Sequence, residues 1–331
     1  MTRTFRRALC ASAIALLWLS ASGVAATAGD LGIREEAFDD PNYDFKIDTE
    51  LTAGRLSGTS HEFVYAPNLG GHKNSELIWS MDDVVIIGGK VAIRPSHWWS
   101  VEMGGYINGT HEATIDDYDW LDLNTSDWTH WSHHEDTSLE RAMGVDLSTK
   151  LALWRTDFFD LQGIAGYRWD KFDWSAYGGR YVYSSATGFR DDTGIFKPGE
   201  IVGSYKQEYS APYIGLGGEL RLGDFTLNGN VTASWWASMH SVDDHWLRHL
   251  EFQSTYDGGN MLHYEVEGRY QFTDNMALKA GWQHQAYDEM KGSVRASIAP
   301  GGPGVDYWAG DSSGADNSSD IISAGLVYTF R

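Results

Sequence analysis

Two short acidic motifs carry the residue types best suited to chemistry. The first is Asp117-Tyr118-Asp119, within a stretch from Asp116 to Asp136 where carboxylates, imidazoles and indoles follow one another almost without aliphatic residues. The second, far downstream, is His240-Ser241-Val242-Asp243-Asp244-His245. At strand spacing, residues i and i+2 face the same side. Asp117 and Asp119 then share one face, and Asp243 and His245 another. A carboxylate beside an imidazole fixes its tautomer and raises its basicity. Paired carboxylates hold a water and shift each other's pKa. Set across a cleft, the four would activate water against a carbonyl. Taken singly, such motifs are more often solvated acidic surface, so their context decides.

Other chemistries have weaker support. His130, His133 and His134, with aspartates nearby, offer ligands for a divalent cation, but HWSHH lacks the helical i,i+4 spacing of zinc hydrolases. Metal therefore ranks below water activation, and no metal or other cofactor is expected. Ser132 stands near two imidazoles, yet no Gly-x-Ser-x-Gly elbow frames it. The single cysteine, Cys10, lies in the leader, which leaves the mature chain no thiol nucleophile and no disulfide.

The motifs must be held by an exported chain. Arg3, Arg6 and Arg7 form a basic n-region, Ala8 to Leu19 an apolar segment, and Ala26-Thr27-Ala28 a small-x-small site. Residues 1–28 thus read as a signal peptide and 29–331 as one domain. The formal charge of −21 argues against nucleic acid and favours cationic partners. No apolar run beyond the signal is long enough for a membrane helix. The 15 tryptophans and 37 glycines, without cysteine in the mature chain, instead match an outer-membrane β-barrel with aromatic girdles.

The dominant hydrophobic period is two. Phe45, Ile47, Thr49, Leu51 and Ala53 alternate with Lys46, Asp48, Glu50 and Thr52. Val145 to Leu153 repeats the pattern, as does Leu262 to Phe272, where His263, Glu265, Glu267, Arg269 and Gln271 form the polar face. A soluble sandwich would turn the apolar face inward, whereas a membrane barrel turns it to lipid. The signal, the aromatics and the charged face favour the barrel. Tight turns are expected at 94–96, 155–157, 222–224 and 273–275, and long polar loops at about 59–76, 111–137, 186–201, 241–259 and 291–318. Short turns at one end and long loops at the other fit an all-β, antiparallel, up-and-down transmembrane barrel of about ten strands. Both acidic motifs fall at the long-loop end.

Several stretches carry a more specific likeness. DYDWLD (117–122) followed by WTHWSHHEDT (128–137), GGRYVYSSATGFRDDTGIF (178–196), SYKQEYSAPYIGL (204–216) and LSGTSHEFVY (56–65) resemble, in order and spacing, the omptin family of outer-membrane proteases. The resemblance implies a barrel rising above the outer membrane, with an endopeptidase site at its outer rim. It implies that His245, oriented by Asp243, is the general base, and that Asp117 and Asp119 hold the water. It places Glu62 at the floor of a pocket for a basic side chain, so that extracellular cationic peptides and proteins are the expected substrates. Ser241 and His130 stand where the family carries further acidic groups. Two arginines that contact lipopolysaccharide in the family correspond to Lys171 and Glu208. Lys171 is then the lipid-binding candidate, and lipopolysaccharide or another outer-membrane lipid the candidate activator. The rival class is a non-catalytic adhesin or receptor on the same scaffold, with a pore ranked last because small barrels fill their lumens with side chains.

Overall fold

A computed structural model describes residues 45–298 and 302–331. The leader at 1–28 and the acidic lead at 29–43 lie outside the described residues. Thirteen strands form one antiparallel sheet: β1 (Lys46–Ala66), β2 (His72–Ser96), β3 (Trp99–Asn108), β4 (Glu112–Asp119), β5 (His130–Arg155), β6 (Phe159–Tyr177), β7 (Arg180–Tyr183), β8 (Asp192–Ile195), β9 (Ile201–Leu222), β10 (Phe225–His245), β11 (Leu250–Gln271), β12 (Met276–Ile298) and β13 (Gly304–Phe330). β3 and β4 both lie between β2 and β5 and together occupy one strand position. β1 pairs with β13 on one side and β2 on the other, which closes a ring of ten. β7 and β8 form a small hairpin that extends β5. The expected ten-stranded barrel is the observed fold.

In the lower half the charged face turns inward and the apolar face outward. Leu51 is 66% exposed, while its neighbours on either side along the strand face the lumen. There Lys279 reaches Glu50 at 2.6 Å and Glu267 at 2.5 Å, Lys150 reaches Glu102 at 2.8 Å, and Arg94 reaches Asp48 at 3.1 Å. Each of these buried charges has an opposite partner, which is the condition for keeping it ionised away from water. The outward band of Leu51, Ile87, Val91, Met103, Leu147, Ile214, Leu216, Val266, Ile322 and Leu326 is the lipid face.

The expected long loops are mostly strand, which corrects the assignment from sequence. The main strands run to 27 residues, whereas about 9–11 suffice to cross a bilayer. The surplus projects beyond the membrane. Its outer face meets water, so polar residues appear where lipid-facing apolar ones would have marked a strand. Some connections at this end are short, such as the turns at 67–71 and 246–249, while 120–129 and 184–191 remain loops. The opposite turns fall at 156–158, 223–224 and 272–275 as expected, and the first is displaced to His97–Trp98. Arg94 to Ser96 stays in β2 there, with the Arg94 guanidinium drawn to Asp48 in the lumen.

Above the membrane the interior becomes apolar. Trp79, Trp174 and Tyr205 stack within 5.6–6.1 Å of one another, and Phe172 packs on Trp174 at 5.7 Å. Tyr209 and Tyr287 stack at 4.1 Å. These rings are fully buried and form a floor beneath the outer rim.

Two strands change phase to reach that interior. In β10, Thr232 and Ser234 face in, and then Trp235 and Trp236, 55% and 60% exposed, both face out. This bulge lies where pairing to β11 shifts register, and beyond it Ala237, Met239, Ser241 and Asp243 face in. Between β3 and β4 the break at 109–111 does the same. Glu102 faces in on β3, yet Ala113 and Ile115 face in on β4. The Asn108 side chain replaces the missing ladder bonds, donating to Thr110 O and Leu139 O and accepting from Ala142 N.

Leu147 on the outward face tests this orientation. Leu147→Arg is expected to destabilise the barrel by about 2–4 kcal/mol at mid-bilayer depth. Urea unfolding in lipid vesicles reads the change; an unaltered midpoint would place residue 147 out of contact with lipid.

Candidate active site

The two acidic motifs lie on strand ends at the same rim. Asp117 and Asp119 close β4, and Asp243 and His245 close β10. Both strands run toward this rim. Around the ring β4 and β10 are separated by β5, β6 and β9, so the pairs face each other across the mouth. The phase changes lower in each strand turn all four side chains inward. Without the Trp235–Trp236 bulge, Asp243 and His245 would follow the lipid-facing parity of Val231.

His245 Nε2 donates to Asp243 Oδ2 at 2.5 Å, and Asp243 is buried. The edge of Phe252 packs on the imidazole with centroids 5.3 Å apart. Across the mouth, Ser75 Oγ on β2 donates to Asp117 Oδ1 at 3.3 Å. Burial pushes the Asp117 carboxyl up to about 7, helped by the charge of Asp119 and opposed by the field of His245. Burial also raises Asp119, against the Ser75 hydrogen bond and the positive fields of His130, Arg248 and His245. The pair thus holds a proton near neutral pH, and its members feel the imidazole opposite. The arrangement can bind a water between acidic and basic groups and move its proton.

Glu62, near the end of β1, faces the same interior. It is buried, and its Oε2 has no hydrogen-bond partner among the described residues. Burial raises its pKa well above the usual carboxylate range, with the charges of Asp243 and Asp117 adding to it. An unpaired buried carboxyl of this kind is ionised and satisfied by an incoming cation. Ser241 is buried one inward step before Asp243 on β10.

The three histidines considered as metal ligands diverge. His133 faces out and pairs with Asp116 at 2.9 Å. His134 is buried, its Nδ1 donating to Gly178 O at 2.5 Å. His130 packs on Tyr183, with centroids 4.9 Å apart. Ser132 is likewise buried and hydrogen-bonds His134 Nε2 at 3.1 Å. The lipid-binding candidate Lys171 sits on β6 opposite Glu208 on β9 and lies 3.8 Å from Asp173. Glu208 accepts a hydrogen bond from Trp169 Nε1 at 3.0 Å.

Three further residues belong to the mouth. Ser75 anchors the aspartates. Tyr183 on β7 is pushed up to about 12 by burial and by the charges of Asp117 and Asp119, so its hydroxyl keeps its proton. Arg248, in the turn after β10, donates to His245 Nδ1. Tyr183 lies in a stretch that resembles the family, but nothing in its spacing assigns it to the aspartates. Ser75 and Arg248 carry no motif, and only the pairing of β2 with β4 and the tightness of the turn bring them in.

Comparison with known proteins identifies the family and the fold. Residues 43–330 match the model of the Omptin family. The chain belongs to the omptin family. It is 33% identical over 280 residues to the plasminogen activator of Yersinia pestis, covering 84% of this chain and 88% of that one. It is 32% identical to protease 7 of Escherichia coli K12, covering 86% and 90%. The crystal structure of the outer membrane protease OmpT from Escherichia coli superposes with a TM-score of 0.82 at 31% identity, covering 87% of this chain and 99% of that one. This omptin is therefore an outer-membrane barrel, with its lipid band in the bilayer and the strand extensions above it.

The raised pKa of Asp117 has a consequence for stability. A carboxyl whose folded pKa lies above its unfolded value favours folding most when protonated. That contribution is lost as pH rises from about 4 through 7. Asp117→Asn removes the penalty of the ionised form. The variant is expected to be more stable than the parent at pH 8, with the difference shrinking toward pH 4. Equal midpoints in urea at both pH values would refute the desolvated carboxyl.

Proposed function

We propose that this omptin is a surface endopeptidase that cleaves extracellular peptides and proteins with an activated water. The observation that carries the reading is the meeting of Asp117 and Asp119 with the Asp243–His245 pair across one rim, with both aspartates in the field of His245. The printed names of the relatives, protease 7 and outer membrane protease OmpT, support a peptidase.

In this reading Asp243 accepts the Nε2 proton of His245 and holds the tautomer whose Nδ1 lone pair can act as base. Asp117 and Asp119 orient the water between them and share one proton. His245 takes a proton from that water as its oxygen attacks the scissile carbonyl. The resulting imidazolium, stabilised by Asp243, returns the proton to the leaving amine. The intermediate is a hydrated tetrahedral carbon rather than an acyl-enzyme, because no residue of the set is a serine or a cysteine. The chemistry requires no metal or organic cofactor.

Glu62 favours a basic side chain beside the scissile bond. A hydrogen bond to a charged group contributes about 1.5–3 kcal/mol, roughly a ten- to hundredfold preference. Ser241 and His130 add no negative charge, so the preference rests on the single carboxylate of Glu62. Lys171 is proposed to contact a lipid phosphate. Because Glu208 opposes it, lipopolysaccharide is proposed to be a weak activator. The purified barrel in lipopolysaccharide-free detergent should already cleave, and adding lipopolysaccharide should raise the rate modestly; absolute dependence would overturn the lipid part of the reading.

The site itself is tested with fluorogenic peptides carrying Arg-Arg or Lys-Arg. The parent should cleave them in preference to neutral analogues. Asp119→Asn and His245→Ala should lose at least about a hundredfold in rate, the scale of a positioned acid–base group. Their folded-barrel gel mobility should be unchanged. Full activity in either variant would remove these residues from the mechanism.

A further inference from the structure

Arg248 occupies an unusual position beside the proposed base. It ends the short 3₁₀ turn Trp246–Arg248 that follows β10. The turn is fixed at both ends. Trp246 Nε1 donates to Ser204 Oγ on β9 at 3.0 Å, and His249 adopts φ +54°, closing the turn through its N–H to Trp246 O. This places the Arg248 guanidinium on the imidazole of His245, where Nη2 donates to Nδ1 and lies 3.3 Å from Nε2. The side chain is otherwise exposed, and among the described residues it forms no salt bridge. Asp119, across the mouth, feels its positive charge.

The hydrogen bonding of His245 is then complete. Nε2–H is committed to Asp243, and a guanidinium, which only donates, consumes the Nδ1 lone pair. An imidazole bonded in this way has no free lone pair with which to take a proton from water. A guanidinium on an imidazole is also a mismatched pair, since its best partner is a carboxylate held by two parallel hydrogen bonds. We propose that Arg248 is a specificity-determining residue: it caps the base in the empty site and is drawn off by a substrate carrying Asp or Glu close to the scissile bond. This rests on His245 being the base. It adds to the basic preference of Glu62 a second requirement, for an acidic residue on the side of the cleft that Arg248 borders. The favoured substrate is thus a peptide of mixed charge rather than a uniformly cationic one.

The experiment uses the full-length barrel in detergent, with Arg248→Gln and Arg248→Lys beside the parent. Arg248 is exposed, and folded-barrel gel mobility verifies that each variant folds. Matched peptides share one basic residue at the scissile bond and carry Glu or Gln at each of the three positions on either side. The parent should favour Glu over Gln by about three- to fivefold in kcat/KM at one or more of these positions, the scale of a solvent-exposed ion pair. Arg248→Gln should reduce that ratio to about one, and Arg248→Lys should retain most of it. Separately, diethyl pyrocarbonate acylates an unprotonated imidazole nitrogen that is free. The rate at His245, read by peptide mapping, should rise several-fold in Arg248→Gln. No Glu preference at any position in the parent, or a preference that persists in Arg248→Gln, overturns the proposal, as does an unchanged acylation rate. The acylation rate needs no turnover. It therefore tests the cap even if His245→Ala proves active and the site reading falls.

Discussion

At the height where the barrel leaves the bilayer, the interior changes from charged to apolar, and several strands must change which face they turn inward. A period of two cannot change phase without an extra residue. The bulge at Trp235–Trp236 supplies it in β10, and the break at 109–111 supplies it between β3 and β4. On β2 the outward pair Asp82–Asp83 plays the same part, with Asp83 in the left-handed region at φ +58°. The position of the site depends on this shift. It turns both acidic motifs toward a common mouth, over a floor of stacked rings.

That floor has an electrostatic effect. Trp79, Trp174 and Tyr205 keep water from the underside of Glu62 and of the aspartates, so the carboxyls meet one another in a poorly solvated space. The raised pKa values of Glu62 and Asp117 follow from burial first and repulsion by neighbouring carboxylates second. The lower lumen has the opposite arrangement, with Glu50, Glu102 and Glu267 each beside a lysine. One barrel thus holds two kinds of buried carboxylate. Those in the membrane are neutralised by lysine and arginine partners, whereas Glu62 and Asp117 at the mouth have no such ion pair among the described residues. This is the expected difference between a group that only stabilises and a group reserved for a ligand or a proton.

The cations near the mouth have different roles. Arg190 donates twice to Trp128 O and stacks over that indole at 3.4 Å, which braces the loop before β5. Lys73 on β2 lies over Trp120, at the start of the same loop, at 4.1 Å. Both are tied to structural partners. Arg248 instead rests on a side chain that belongs to the proposed chemistry, at the end of a turn whose backbone is fixed but whose exposed guanidinium has no structural partner among the described residues to hold it there.

Much of the fold was legible in the chain. Alternation in Phe45–Ala53 and Leu262–Phe272, together with the leader and the aromatics, determined a barrel with its charged face inward, because lipid accepts one face and excludes the other. The four proposed site residues and Glu62 were legible as residue types at strand spacing and through their likeness to the omptin family. The extent of the strands was not legible, since above the membrane the outer face meets water and alternation no longer separates strand from loop. Nor were Ser75, Tyr183 and Arg248, which reach the mouth through neighbouring strands and a turn rather than through any motif. Sequence by itself determined which groups are available and that they share a face in pairs, because the pleat is a local property of the backbone. Only the closed barrel decided that the pairs face each other and what surrounds them, because inter-strand register, bulges and burial arise from residues far apart in the chain.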